Sequence, residues 1–256
     1  MDIFASGPIA GILDVVYQFV TFLSQILAPV AGASSAAVAV VVLTMVVRAL
    51  LIPVGASQVR AEFTRRRLAP RLAELQRIHG RDRETLQRKT MELYAQEKAS
   101  PFAGCLPLLL QAPVLSLVYA LFLHPTINGH VNALLSQHLF GVPLGMSFVH
   151  AVGTGGATIG MIAVFVGFLA AIATVTAISR TVLTLRPVQT GSPTTPNMVT
   201  RVVSYLPFIT VVFAAFVPLA AVLYLLTTTS WTVVERTTLR RTLSPDARPP
   251  RLSTAE

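Results

Sequence analysis

The chain has little charge and almost no cysteine or tryptophan. Asp, Glu, Lys and Arg make up 12% of its 256 residues, against 53% hydrophobic, with one Cys and one Trp. The lone Cys105 excludes an intramolecular disulfide and a cysteine metal cluster. No Gly-Lys pair occurs anywhere, so the phosphate loop that would signal direct nucleotide use is missing. Four histidines, His124, His130, His138 and His150, lie within one uncharged stretch with no Cys, Asp or Glu beside them, and metal binding is not expected there. No Ser-His pairing and no pair of acids within an apolar run supports hydrolytic chemistry, so neither an enzyme nor a cofactor is expected. Residues 1–47 contain no Lys or Arg, and residues 99–179 contain no charged residue at all. Uncharged runs of that length exceed what a bilayer crossing needs, which defines a polytopic membrane protein.

What charge there is, is concentrated. The net charge is +9, and Lys and Arg fall mainly between Arg60 and Lys98 and in the tail from Arg236 to Arg251, with Arg180, Arg186 and Arg201 between. The positive-inside rule puts these basic segments in the cytoplasm. The stretch 99–179 then crosses twice, and the apolar run between Arg201 and Arg236 crosses twice with Pro218 at its turn. The expected fold is all-α with five transmembrane helices, N-terminus outside and C-terminus cytoplasmic. Its spans are 33–55, 100–123, 158–179, 201–217 and 218–234. An external loop (124–157), a cytoplasmic loop (180–200) and a basic cytoplasmic tail (235–256), read as disordered, complete the plan.

Two further segments precede the second span. In residues 1–32, Asp14, Gln18, Thr21 and Gln25 recur at helical spacing among apolar residues. This reads as an interfacial amphipathic helix on the outer membrane surface, with a true first span as the alternative. Residues 56–99 read as a cytoplasmic helical hairpin: Leu68, Leu72 and Leu75 form one apolar stripe, Leu86 and Leu93 another, Gly80 turns the chain and Asp82 caps the second helix. Its arginines, Arg65, Arg66, Arg67, Arg77, Arg81 and Arg83 among them, suit anionic lipid headgroups or ribosomal RNA.

Arg48 is the only charge in the apolar run Ala36–Val54, and no acid lies in any of the apolar runs. An intramembrane arginine costs roughly 2.5–3.5 kcal/mol on insertion scales, so it marks a wet cavity or a function. The alternative is snorkelling, since Val54 is only about 9 Å further along the helix. Gln111 and the run Thr227–Ser230 fall at similar depth in the inner half of the bilayer. Apolar outer halves favour a groove open to the cytoplasm over a through-pore.

Residues 100–119, SPFAGCLPLLLQAPVLSLVY, with Pro101, Gly104, Cys105, Pro107, Gln111, Pro113 and Tyr119, closely resemble the start of the second span in the YidC family of membrane protein insertases. Arg48 resembles the arginine of that family's first core span, Pro207 its fourth-span proline, and Pro218–Tyr224 its P-A-G-L-x-L-Y segment. The chain departs from the pattern at Leu219-Ala220 and Leu225, with Trp231 two turns beyond Tyr224, and the third span keeps Thr174 and Thr176. The resemblance implies a groove whose substrate-contacting residues are Arg48, Gln111, Tyr119, Thr174, Tyr224, Thr228 and Trp231. It also implies nascent membrane proteins, membrane lipids, the ribosome and the general secretion channel as partners, not DNA. The alternatives are a small-solute transporter or channel subunit, which would need inverted repeats and polar residues through both leaflets, or an auxiliary structural subunit of a translocation complex.

Overall fold

The computed structural model describes residues 8–97, 99, 116–127, 129–183 and 208–244. Helix α1 (Pro8–Ala31) turns through Gly32–Ser34 into α2 (Ser35–Leu50), and α3 (Ile52–His79) and α4 (Arg83–Gln96) follow. After a helical stretch at 116–123, here α5, come two short hairpins, β1–β2 (Thr126–Ile127, His130–Val131) and β3–β4 (His138–Leu139, Val142–Pro143). The helices α6 (Phe148–Gly153), α7 (Ile159–Leu183), α8 (Ile209–Ala214) and α9 (Leu219–Leu243) complete the order. The described chain is mostly helical. Among the described residues, two stretches are long and apolar enough to cross a membrane, Ala10–Leu50 and Ile159–Val182. Residues 100–115 of the expected second span, residues 201–207 of the fourth, the loop 184–200 and the tail beyond residue 244 lie outside the described residues.

The break between α1 and α2 rests on Gly32, whose φ of +53° suits a residue without a Cβ. Beyond it the chain folds back. Ser24 and Ser35 hydroxyls meet at 3.0 Å, and Leu13 and Val20 are buried with Ala36, Ala37 and Val40 in the main core. In the structure α1 packs along α2. Burial of Leu13 and Val20 accounts for that choice. The other face of α1, with Ile12, Val15, Phe19, Phe22 and Ile26, remains exposed.

Pro53 explains the joint between α2 and α3: without an N–H it cannot continue the hydrogen-bond ladder, and Leu51 closes the turn onto Val47 and Arg48 carbonyls at 3.1 and 3.2 Å. α3 therefore begins at Ile52, earlier than the expected start of the hairpin. It turns at Gly80, and Asp82 caps α4 by accepting from the Thr85 N–H at 3.1 Å. Leu68 and Leu93 are buried, and Arg67 and Arg71 both reach Glu97 at 2.7 Å, so α3 and α4 lie side by side and antiparallel.

The hairpins in the loop 124–147 depart from the all-α expectation. Phe140 (φ 50°) and Gly141 (φ 80°) form the two-residue turn that joins β3 to β4. Asn132 is buried and ties the loop to the end of α5 through the Leu121 and His124 carbonyls, at 2.6 and 3.0 Å. Beyond the hairpins, Met146 and Leu144 carbonyls accept from the Leu219 and Ala220 N–H groups, and Val149 N–H donates to the Ala215 carbonyl. The loop thereby satisfies amide donors that the first turn of α9 would otherwise leave unpaired. From that anchored end, Leu219–Tyr224 is buried without interruption, and α9 packs on α7, α2 and α3.

Candidate functional site

A cavity of about 300 Å³ opens among α1, α2, α5 and α9. Its wall is almost wholly apolar: Val15, Val16, Phe19 and Val20 from α1, Val40, Leu43 and Val47 from α2, and Leu117, Val118, Leu121 and Phe122 from α5. Three polar side chains interrupt it, Thr44, Arg48 and Tyr224. Thr44 satisfies itself by donating to the Val40 carbonyl at 2.7 Å. Arg48, in the last turn of α2, makes no hydrogen bond and no ion pair with any described residue, and the side-chain acceptors beside it on the wall are the Thr44 and Tyr224 hydroxyls. A guanidinium beside an apolar cavity is set to receive an anion or water.

Tyr224 opens a stripe on α9. Tyr224, Thr228, Trp231 and Glu235 follow one another at spacings of four, three and four, which places them on one face. Thr228 Oγ1 is buried and has no hydrogen-bond partner, and the buried Trp231 Nε1 lies beside the Glu235 carboxyl. An unpartnered buried hydroxyl is costly unless something occupies it. The stripe continues to Glu235, which lies within electrostatic reach of Arg48 and next to the Trp231 indole. Burial raises the Glu235 carboxyl above its ordinary value, and Trp231, Arg48 and Arg236 oppose that rise. Beyond it, Arg236 donates to Gln58 Oε1 at 3.3 Å, and Arg240 pairs with Glu62 at 2.7 Å, fastening α9 to α3.

The sequence-predicted residues divide clearly. Arg48 and Tyr224 meet at the cavity, and Thr228 and Trp231 extend from it. Tyr119 is half-buried on α5, its ring tilted against Phe213 at 6.2 Å, outside the cavity wall. Thr174 stands apart: it is exposed on α7 and donates to its own Ala170 carbonyl at 2.8 Å. Two residues on, Thr176 is buried, because a step of two residues turns about 200° around a helix. Gln111 lies outside the described residues. On the hairpin, Arg77, Arg81 and Arg83 are exposed near the turn, whereas Arg67 is engaged with Glu97 and Arg66 is partly buried.

Sequence reasoning missed Glu235. It was assigned to a disordered tail, but α9 continues to Leu243 and holds Glu235 half-buried against α3. The idea that Arg48 has no opposite charge near it is therefore corrected. The signal was present in the 4-3-4 spacing. The wall contributed by α1 was also missed, because its apolar residues read as lipid-facing.

Taken together, the fold and the cavity define a helical membrane protein with a charged recess between its helices. The model of the 60Kd inner membrane protein family matches residues 26–246, and the chain belongs to that family. It is similar to the membrane protein insertase YidC of Haemophilus ducreyi, 29% identical over 214 residues, covering 80% of this chain and 33% of that protein. It is also similar to YidC of an Anaeromyxobacter species, 42% identical over 82 residues, 32% of this chain and 15% of that protein. YidC of Pseudomonas syringae pv. tomato is 41% identical over 80 residues, 31% of this chain and 14% of that protein. The chain thus matches a third or less of each relative's length.

Proposed function

We propose that the chain is a membrane protein insertase: it receives a nascent hydrophobic segment in the recess beside Arg48 and releases it sideways into lipid. The observation that carries this reading is Arg48 itself, without an ion pair at an apolar cavity and followed along α9 by Thr228, whose buried hydroxyl has no hydrogen-bond partner. The membership of the insertase-containing family and the names of its relatives support the same reading.

In this mechanism the substrate's short polar or acidic outer tail passes beside Arg48, where charge attraction lowers the cost of leaving water. Thr228 supplies a hydrogen bond to the passing backbone that lipid does not offer. The apolar segment then moves into the hydrocarbon, driven by its own transfer free energy and the membrane potential. No nucleotide and no catalytic group takes part.

The architecture that goes with it has five spans in a bacterial plasma membrane, with α3, α4 and the inner end of α9 on the cytoplasmic side. The exposed Arg77, Arg81 and Arg83 at the hairpin turn dock on anionic lipid, the ribosome or the secretion channel. Liposomes containing the purified protein test the central claim with a single-span substrate bearing an acidic outer tail. The intact chain inserts it and Arg48→Ala does not, with Arg48→Lys intermediate because a point charge replaces a fork. Equal insertion by the intact chain and Arg48→Ala removes the charged-recess mechanism.

A further inference from the structure

Most of the loop 124–147 follows ordinary rules. In its second hairpin Leu139 and Val142 face each other across the strands and are both buried, and Leu144 is buried after them. The tip is different. Phe140 and Gly141 have φ of 50° and 80°, the two positive angles of a type I′ turn. Such a turn favours Asn-Gly or Asp-Gly, because its first position holds a Cβ in the left-handed region. Gly141 meets the demand. Phe140 does not, and among the described residues it is the one residue other than glycine with a positive φ. The fold gives its ring little in return, since 72% of the residue stays exposed. A single exposed apolar residue is ordinary on a surface, but one held in a disfavoured backbone region calls for a compensating contact.

The attachments of the loop say what can supply that contact. β3 packs on the Gly32–Ser34 turn and on α2. Asn132 holds the end of α5, and the Leu144 and Met146 carbonyls hold the first amides of α9. α7 begins shortly after α6. The loop therefore lies where helix ends meet, at the limit of the two runs able to cross a membrane: Ile159–Val182, and Ala10–Leu50, which bends at Gly32. Apolar side chains are open to the surroundings at these ends as well, for Val30 beside the bend and Ile159 at the start of α7 are almost fully exposed. At such a border an apolar ring can leave water for the upper acyl chains.

We propose that Phe140 is a lipid anchor: the tip of this hairpin dips into the bilayer border, where burial of the ring among acyl chains offsets the strain of its turn. The partner is the lipid itself, met by an apolar group with no charge beside it in the turn. The anchor is independent of the insertase reading above. It gives the loop a fixed level relative to the bilayer, and because the loop holds the first turn of α9, it fixes the level of that helix end too.

The test uses the full chain in phosphatidylcholine vesicles. Because Trp231 is the chain's single tryptophan, Phe140→Trp combined with Trp231→Phe makes the hairpin tip the only indole. Its emission is expected to shift to shorter wavelength, to lose most of its intensity when the lipids carry bromine high on their acyl chains, and to lose little to aqueous iodide. A second reporter leaves Trp231 in place and decides the matter if the indole variant does not fold: a nitroxide on Phe140→Cys, with Cys105→Ser so that the label has one site. Its relaxation is expected to respond to dissolved oxygen more than to a water-soluble nickel chelate. Water-like emission open to iodide, or a nitroxide that meets the nickel chelate freely, overturns the proposal. Shielding from iodide without quenching by brominated lipid overturns it too, since protein, a second copy of this chain included, would then cover the tip.

Discussion

The pair Glu62–Arg240 offers a quantitative test of how α9 is held against α3. Its 2.7 Å contact spans two helices, and the side chains retain 26% and 15% of their exposure. Two unit charges at 4 Å attract by about 4 kcal/mol at an effective dielectric of about 20, and desolvation of both groups offsets much of this. Exposed pairs net about 0.2–1 kcal/mol, and breaking a fully buried pair costs about 3–5 kcal/mol, so an intermediate burial predicts a coupling of about 1.5 kcal/mol. The measurement is a double-mutant cycle with Glu62→Gln and Arg240→Gln, followed by unfolding in detergent with Trp231 fluorescence. The internal comparison is Lys89–Glu92 on α4, a pair three residues apart with 43% and 44% exposure, whose coupling should be too small to resolve. A 62–240 coupling no larger than the 89–92 coupling would refute the view that this seam is an energetic fastening.

Two further outcomes are expected. With Cys105 replaced by serine, Ser24→Cys together with Ser35→Cys should form a disulfide under mild oxidation, since the hydroxyls already meet at 3.0 Å; failure to cross-link would show that α1 does not pack on α2. Acid should loosen the start of α4. The Asp82 carboxyl is held below its ordinary value by its hydrogen bonds to Thr85, so its contribution is complete above the unfolded-state value and is lost as pH falls through the folded one. Exchange of the Thr85 amide hydrogen should accelerate over that acid range and become insensitive to it in Asp82→Ala.

Much of this was legible because membrane solvation leaves a coarse imprint on sequence. Charge-free runs, clustered arginines and a lone Arg48 give class, order and one site residue without any knowledge of packing. Gly80 and Asp82 were legible because turns and caps are local. The two short β-hairpins were not, since strands of two residues carry no periodicity and the turn of the second depends on Phe140 taking a backbone conformation that few such residues adopt. Thr174 and Thr176 could not be ranked, because the sequence places both in the third span and only the direction of packing against α9 tells which one is inward. Glu235 escaped for a different reason. A hydropathy boundary marks where lipid ends, and α9 does not end with it.

The two ends of α9 are secured by different kinds of bond. At Pro218 the chain is stitched by main-chain hydrogen bonds from the loop 144–149, whereas the polar links of its far end to α3 run through the tips of long side chains. A 25-residue helix is about 37 Å long, so a tilt of about 5° about the stitched end carries the other end about 3 Å. That is enough to part Arg236 from Gln58 and Arg240 from Glu62, while the buried segment beside Pro218 scarcely shifts. Mechanically α9 is a lever with its fulcrum at Pro218 and its catch at α3, and a load arriving at the α3 end meets the catch first.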